Sequence, residues 1–178
     1  PGNCLMDEWV RKNSKFKFDK DGLIASKGIR NEIIIEQAQE LYLNRNDKDK
    51  ISLDTKDFDI SFARGSNLED GTTTLTDFTA KIISSALISF ANEIKSNNLK
   101  ILICGGGRKN NYLIDTIKED VSRKCTVQLI DEYGINGDFV ESQAFAYLGI
   151  RSYLNLPISF PETTGCSAPS TGGDLIKN

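Results

Sequence analysis

A chain of 178 residues, 39% hydrophobic and 26% charged, is long enough for one domain with a sizeable core or for two small lobes. Its 22 Lys and Arg against 25 Asp and Glu leave a net charge of -3, which argues against a general electrostatic footprint for nucleic acid, and no apolar run approaches the ~20 residues of a membrane span. The absence of histidine excludes a Ser-His-Asp triad, a Cys-His pair and His-ligated zinc.

Along the chain, Pro1-Gly2-Asn3 reads as a loop with Asn3 as a helix N-cap, and Leu5, Met6, Trp9 and Val10 then recur at helical spacing. Residues 12–27 are charged and turn-like, with Asp21-Gly22 marking a tight turn. Residues 31–43 form a second amphipathic segment, with Glu32, Glu36 and Glu40 on one face and Ile33, Ile34, Ala38 and Leu41 on the other. A polar run at 44–50 reads as a solvated loop, and residues 57–63 as a short strand. Residues 76–94 predict a strong helix that buries Phe78, Ile82, Leu87, Phe90 and Ile94. A buried strand at 100–104, a helix at 110–121 and a second strand at 125–130 follow. Residues 139–154 are so apolar that a largely buried helix is expected, and the tail from Pro157 is loop-rich. This order predicts a parallel α/β core over 75–156, preceded by an insert-like helical and loop part over 1–74 and followed by a tail over 157–178.

Cys4, Cys104, Cys125 and Cys166 form no CxxC pair, so neither zinc nor thioredoxin-like chemistry is indicated. They read as reduced thiols of a cytoplasmic protein, with Cys104 and Cys125 buried in strands; no signal peptide opens the chain.

The chemistry-bearing candidates cluster after the first strand. Gly105, Gly106 and Gly107 lie between a strand and a helix, where backbone can approach a ligand closely and a helix start can face a phosphate. The run is not a Walker loop, and Asn110 stands where a dinucleotide fingerprint has its last glycine. Asp131 and Glu132 end the next strand, where an acid would suit a ribose 2′-OH; this is the case for a dinucleotide-binding, Rossmann-like module. The alternative for both acids is a loop facing water. Asp138 and Glu141 resemble a capping box, or else place a carboxylate at the edge of a buried helix. Gly2-Asn3 suits the end of a phosphate loop. Asp54, Asp57 and Asp59 make an acidic cluster that is either a cation site or a solvated turn, and Thr163, Thr164 and Gly165 either line a cleft or form a turn.

Several of these stretches together resemble the anhydro-N-acetylmuramic acid kinases. They are Pro1-Gly2-Asn3-x-Leu5-x-Asp7-x-Trp9, Ser52-Leu53-Asp54 with Asp57-Phe58, residues 72–80, Cys104-Gly-Gly-Gly-Arg-x-Asn110, and Asp131-Glu-Tyr-Gly-Ile-x-Gly-Asp138-x-x-Glu141-x-x-Ala144-Phe-Ala-Tyr-Leu148. The resemblance implies one RNase H-like, actin-like lobe of a two-lobe sugar kinase, lacking its first strands. It implies ATP and Mg2+ as cofactors and anhydro-N-acetylmuramic acid as substrate. The 1,6-anhydro ring would be opened by water and O6 phosphorylated to N-acetylmuramic acid 6-phosphate, a step of peptidoglycan recycling. On this reading Gly105, Gly106, Gly107 and Asn110, with Gly2 and Asn3, hold the nucleotide, while Asp138 and Glu141 face the sugar; metal ligands are not assigned. The family motif runs Asp-Thr-Gly-Pro-Gly-Asn, and this chain opens at its proline. The base that activates water is therefore expected upstream of Pro1, no catalytic residue is assigned within the chain, and the chain alone is expected to be inactive. An N-terminal lobe is the expected partner, with a homodimer through helices as a further candidate.

Overall fold

The computed structural model describes residues 2–43, 57–174 and 176. Helix α1 (Cys4–Asn13) buries Leu5, Met6, Trp9 and Val10, the stripe its spacing dictates. Asn3 precedes the helix without capping it: its carbonyl accepts from the Asp7 N–H at 2.9 Å, and its side chain makes no cap bond. Ser14 Oγ and Asn13 Nδ2 close the other end by donating to the carbonyls of Val10 and Trp9 at 2.7 and 2.9 Å. The charged stretch after α1 folds into two 3-10 turns, Lys20–Gly22 and Ala25–Lys27. Buried Asp19 organises them, its carboxylate accepting from the amides of Ile24 and Ala25 at 2.7 and 3.0 Å.

Helix α2 (Glu32–Leu43) buries Ile35 and Ala38, whereas Ile33 and Leu41 face water. With Ile33, Ile34, Ile35 and Ala38 among its first seven residues and Leu41, Tyr42 and Leu43 at its end, composition alone leaves the register open, and packing against the core of α1 and the next helix selects the Ile35 face. The polar run at 44–50, the Ser52-Leu53-Asp54 motif and Thr55-Lys56 lie outside the described residues. No strand follows among the described residues at 57–63. Asp59 accepts from the Ser61 amide at 2.9 Å and its hydroxyl at 2.6 Å, and this side-chain turn leads into the 3-10 turn Ser61–Ala63.

Helix α3 (Leu68–Glu93) is the spine, and it starts before the position that periodicity suggests. Asn67 caps it, its Oδ1 accepting from the Asp70 amide at 2.7 Å. Gly71 and three consecutive threonines are poor helix formers, but tertiary contacts override propensity. A methyl on Gly71 would collide with the Trp9 indole, whose Nε1 donates to the Leu68 carbonyl at 3.2 Å. Thr72, Thr76 and Thr79 return their hydroxyls to carbonyls four residues back at 2.6–2.9 Å, so none is buried unpaired. The far end departs from expectation: Phe90 and Ile94 are exposed.

β1 (Leu99–Ile103), α4 (Asn111–Val121) and β2 (Cys125–Leu129) form a β-α-β unit, with the strands parallel in the register Leu99↔Cys125 to Ile103↔Leu129. One cluster joins α1, α2 and the first half of α3 through Leu5, Trp9, Ile35, Leu75 and Phe78. A second joins the rest of α3 to α4 and the sheet through Ala80, Leu113, Ile117, Val121 and Val127. α3 thus runs through the expected boundary at 74/75 and belongs to both. Cys125 is buried as expected, but Cys104 is exposed because β1 ends at Ile103 and the chain turns away there. Helix α5 (Val140–Tyr153) contradicts its apolar composition: none of its residues is buried, with Phe145 and Tyr153 about two-thirds exposed. No described element lies over it to remove that surface from water. The tail holds a short helix, α6 (Pro161–Thr164), and a single antiparallel bridge between Ser159 and Ser170. No helix among the described residues is long and apolar enough to cross a membrane.

Candidate functional site

The site is built at the carboxyl end of β1. Gly105 takes φ +76 and ψ -175, a conformation open to glycine alone, and Gly106–Lys109 follow as a 3-10 turn. A side chain at Gly105 or Gly106 would meet no protein atom within 4 Å, so this face of the turn is open. Beside Gly107 the nearest neighbour is Asn3 Oδ1, 3.9 Å from where a Cβ would stand. That oxygen is buried and has no hydrogen-bond partner. The fold therefore brings the Gly2-Asn3 corner, with Gly2 at φ +58, to the glycine turn across a hundred residues of sequence.

The start of α4 is less open than the sequence suggests. Asn110 is 1% exposed and caps the helix, its Oδ1 accepting from the Leu113 amide at 3.1 Å. Gly22, at φ +76, packs directly on it: a Cβ there would stand 2.8 Å from the Tyr112 amide. An approaching anion thus finds the glycine turn, rather than the helix end, accessible. Just inside, Asp77 of α3 is 1% exposed; its Oδ2 accepts from the Tyr112 hydroxyl at 3.2 Å, while Oδ1 has no partner. Burial pushes the Asp77 carboxyl up to about 6, and burial together with Asp77 pushes the Tyr112 phenol up to about 12.

The residue that sequence reasoning passed over is Arg108. It is 7% exposed and sits between two acids. Nε and Nη2 donate to Asp131 at 2.7 and 3.1 Å, and Nη1 donates both to Asp138 at 2.7 Å and to the Gly105 carbonyl at 3.0 Å. Lys109 donates to the second oxygen of Asp138, also at 2.7 Å. The Gly105 amide donates to the Gly137 carbonyl at 3.0 Å, and the Gly137 amide to Asp131 at 3.3 Å. A side chain on Gly137 would collide with the Arg108 guanidinium, which is why glycine stands there. The Arg108 bonds, joined by Lys109, hold the Asp138 carboxyl down at about 2, and Arg108 likewise lowers Asp131. The available signal was an arginine directly after the glycines, with two acids flanking Gly134 and Gly137; no local periodicity links positions 23 and 30 residues apart.

These contacts settle several readings. Asp138 does not cap α5; Phe139 occupies the N-cap position, and the Asp138 carboxylate is spent on Arg108 and Lys109. Glu141 is exposed on the first turn of α5. Asp131 is occupied by Arg108, and Glu132 accepts from the Leu129 amide at 3.0 Å, so the ribose contact of a dinucleotide module finds no support. Thr163 and Thr164 turn their hydroxyls to the Phe160 carbonyl at 3.1 and 3.2 Å and Gly165 ends the helix, as a turn requires. Asp54 lies outside the described residues, Asp59 is held by Ser61, and among the described residues no group of three His, Cys, Asp or Glu side chains is placed to hold a metal ion.

The family model described as Anhydro-N-acetylmuramic acid kinase matches residues 1–178. Among curated proteins, the anhydro-N-acetylmuramic acid kinase of Pelagibacter ubique is 47% identical over 178 residues, covering 100% of this chain and 48% of that protein. Those of Zymomonas mobilis and Paramagnetospirillum magneticum are 39% and 35% identical, over 98% and 97% of this chain and 46% and 48% of theirs. The chain thus spans about half the length of the curated relatives it matches. Because residues 1–178 of the chain match that family model, the chain belongs to the anhydro-N-acetylmuramic acid kinase family.

Proposed function

We propose that the chain supplies the nucleotide-holding part of an ATP-dependent sugar kinase, which opens the 1,6-anhydro ring of anhydro-N-acetylmuramic acid with water and phosphorylates its O6 for peptidoglycan recycling. The fold is read as part of an RNase H-like, actin-like lobe, of which the β-α-β unit with α3 is the central piece. The observation that carries the reading is the open Gly105–Gly106 face beside the unpartnered Asn3 oxygen, on a chain that matches the family along its full length.

The residues fit a nucleotide. The backbone at Gly105 and Gly106 leaves room for a ribose and α-phosphate to lie against it, and Asn3, its buried Oδ1 beside Gly107, backs the turn. ATP, when bound, supplies the phosphoryl group, and Mg2+ accompanies its phosphate oxygens. Glu141, exposed at the start of α5, is the carboxylate left free to face a sugar, whereas Asp138 contributes by holding Arg108 and Lys109. The base that activates water is assigned to the aspartate of the family motif to which Pro1-Gly2-Asn3 belongs, and the half of the relatives outside the match to the lobe that closes the cleft.

Gly106→Ala tests the nucleotide site cleanly. Its φ is not in the left-handed region and a Cβ there meets nothing, so the fold tolerates it, yet the methyl projects into the space assigned to ligand. ATP titration followed by NMR should shift the amides of residues 105–109 in the unsubstituted chain, and Gly106→Ala should weaken binding by about tenfold. Shifts elsewhere, or equal affinity in the variant, would remove the turn from the nucleotide site.

A further inference from the structure

Arg108 joins two structures that the proposed reaction uses separately. One is the glycine turn, which it reaches through the Gly105 carbonyl; the other is the entry to α5, which it reaches through Asp138, three residues before Glu141. Between them it takes the 3-10 turn that follows β2 (Ile130–Tyr133) through both oxygens of Asp131. A guanidinium can do this because its donors lie in a rigid planar fork, and a single ammonium cannot span the same three acceptors. The site is shaped for the fork: the Gly137 backbone lies so close to the guanidinium that no side chain fits, and the Gly105–Gly137 hydrogen bond zips the two segments together behind it. α5 buries none of its own residues, so the direction in which it leaves the sheet is not set by core packing of its side chains. The polar contacts at its entry are the described structure that relates it to the turn.

We infer that Arg108 is a positioning residue that fixes the glycine turn and the start of α5 as one unit, so that the nucleotide-holding backbone and Glu141 keep a single relative geometry. The consequence for catalysis rests on the function proposed above; the mechanical coupling does not.

The coupling is read by amide hydrogen exchange, followed by NMR, on the 178-residue chain and three variants. Arg108→Gln should speed exchange about tenfold at Gly105 and Gly137 and over residues 143–146, the first hydrogen-bonded amides of α5, while buried amides of α3 keep their rates. Asp138→Asn, on the α5 side, should be felt at Gly105. Arg108→Lys keeps the charge but not the fork and should leave both segments loosened. Three results would overturn the inference: unchanged exchange at the start of α5 in Arg108→Gln, unchanged exchange at Gly105 in Asp138→Asn, or full restoration by lysine, which would reduce the role to charge. ATP affinity measured on the same samples separates the two claims. Faster exchange at both segments in the variants, with no ATP binding by the unsubstituted chain, fails the nucleotide reading and leaves the coupling standing. Normal ATP binding with no coupling does the reverse.

Discussion

Asp77 is a carboxylate buried against a phenol, and its cost depends on pH. Its folded-state value is about 6 against an ordinary 3.8, so between these values the folded protein holds a proton that the unfolded chain has released. Stability therefore falls as pH rises from about 4 to 6 and stays low above, a penalty of roughly 3 kcal/mol at neutral pH. Arg30 and Lys81 offset part of the penalty of ionising it and Glu32 adds to it. Asp77→Asn keeps an acceptor for the Tyr112 hydroxyl and removes the charge. It should raise the unfolding midpoint at pH 8 and flatten the decline between pH 4 and 6; a variant no more stable than the parent at pH 8 would show that the carboxylate is not desolvated. Asp138 is the opposite case. Its depressed value means that its contribution is complete above the ordinary carboxylate range and is lost as pH falls towards 2, so the Arg108 contacts persist through neutral and mildly acidic conditions. The glycine turn was legible from three adjacent glycines after an apolar strand, but the Arg108 contacts were not, because they join loops whose proximity exists only once the β-α-β unit has formed.

Among the elements, those that carry a clear one-sided stripe were readable. α1 buries the residues that its spacing names, α4 buries Leu113, Ile117 and Val121 at four-residue spacing, and the two strands fall within a residue of their expected positions. α3 shows what pattern omits. Its first turns hold Gly71 and a threonine run that argue against helix, and they are helical because Trp9 needs the glycine and the hydroxyls find carbonyls within the helix. Gly71→Ala would improve intrinsic helix propensity, yet it should lower stability by about 2–3 kcal/mol because the methyl strikes the indole. Denaturant unfolding decides this, and a stabilised variant would mean that Trp9 moves freely. The segment at 57–63 was misread for a related reason: Asp59 has a hydrogen-bonding alternative to a strand and takes it.

At the scale of the whole molecule, the feature out of proportion is α5. A helix with Phe139, Phe145, Tyr147, Ile150 and Tyr153 in or beside it, all exposed, presents an apolar surface that a free-standing domain rarely shows. Composition correctly marked these residues as fit for burial, but it carries no information on what buries them. If the other half of the family protein covers α5, an apolar fluorescent dye should bind the 178-residue chain and be displaced when that half is supplied; dye binding that persists would place α5 outside the contact. The same division bears on activity, since the chain accounts for about half the length of its relatives. An assay of ADP release from ATP in the presence of anhydro-N-acetylmuramic acid, run on the 178-residue chain and on that chain joined to the half its relatives carry outside the match, decides whether this is one part of a kinase. Sugar-dependent ADP release is expected from the joined protein and none from the 178-residue chain, with a loss in the joined protein when Gly106 becomes alanine. Turnover by the 178-residue chain alone, or a joined protein that releases no ADP when sugar is added, would contradict the proposed function.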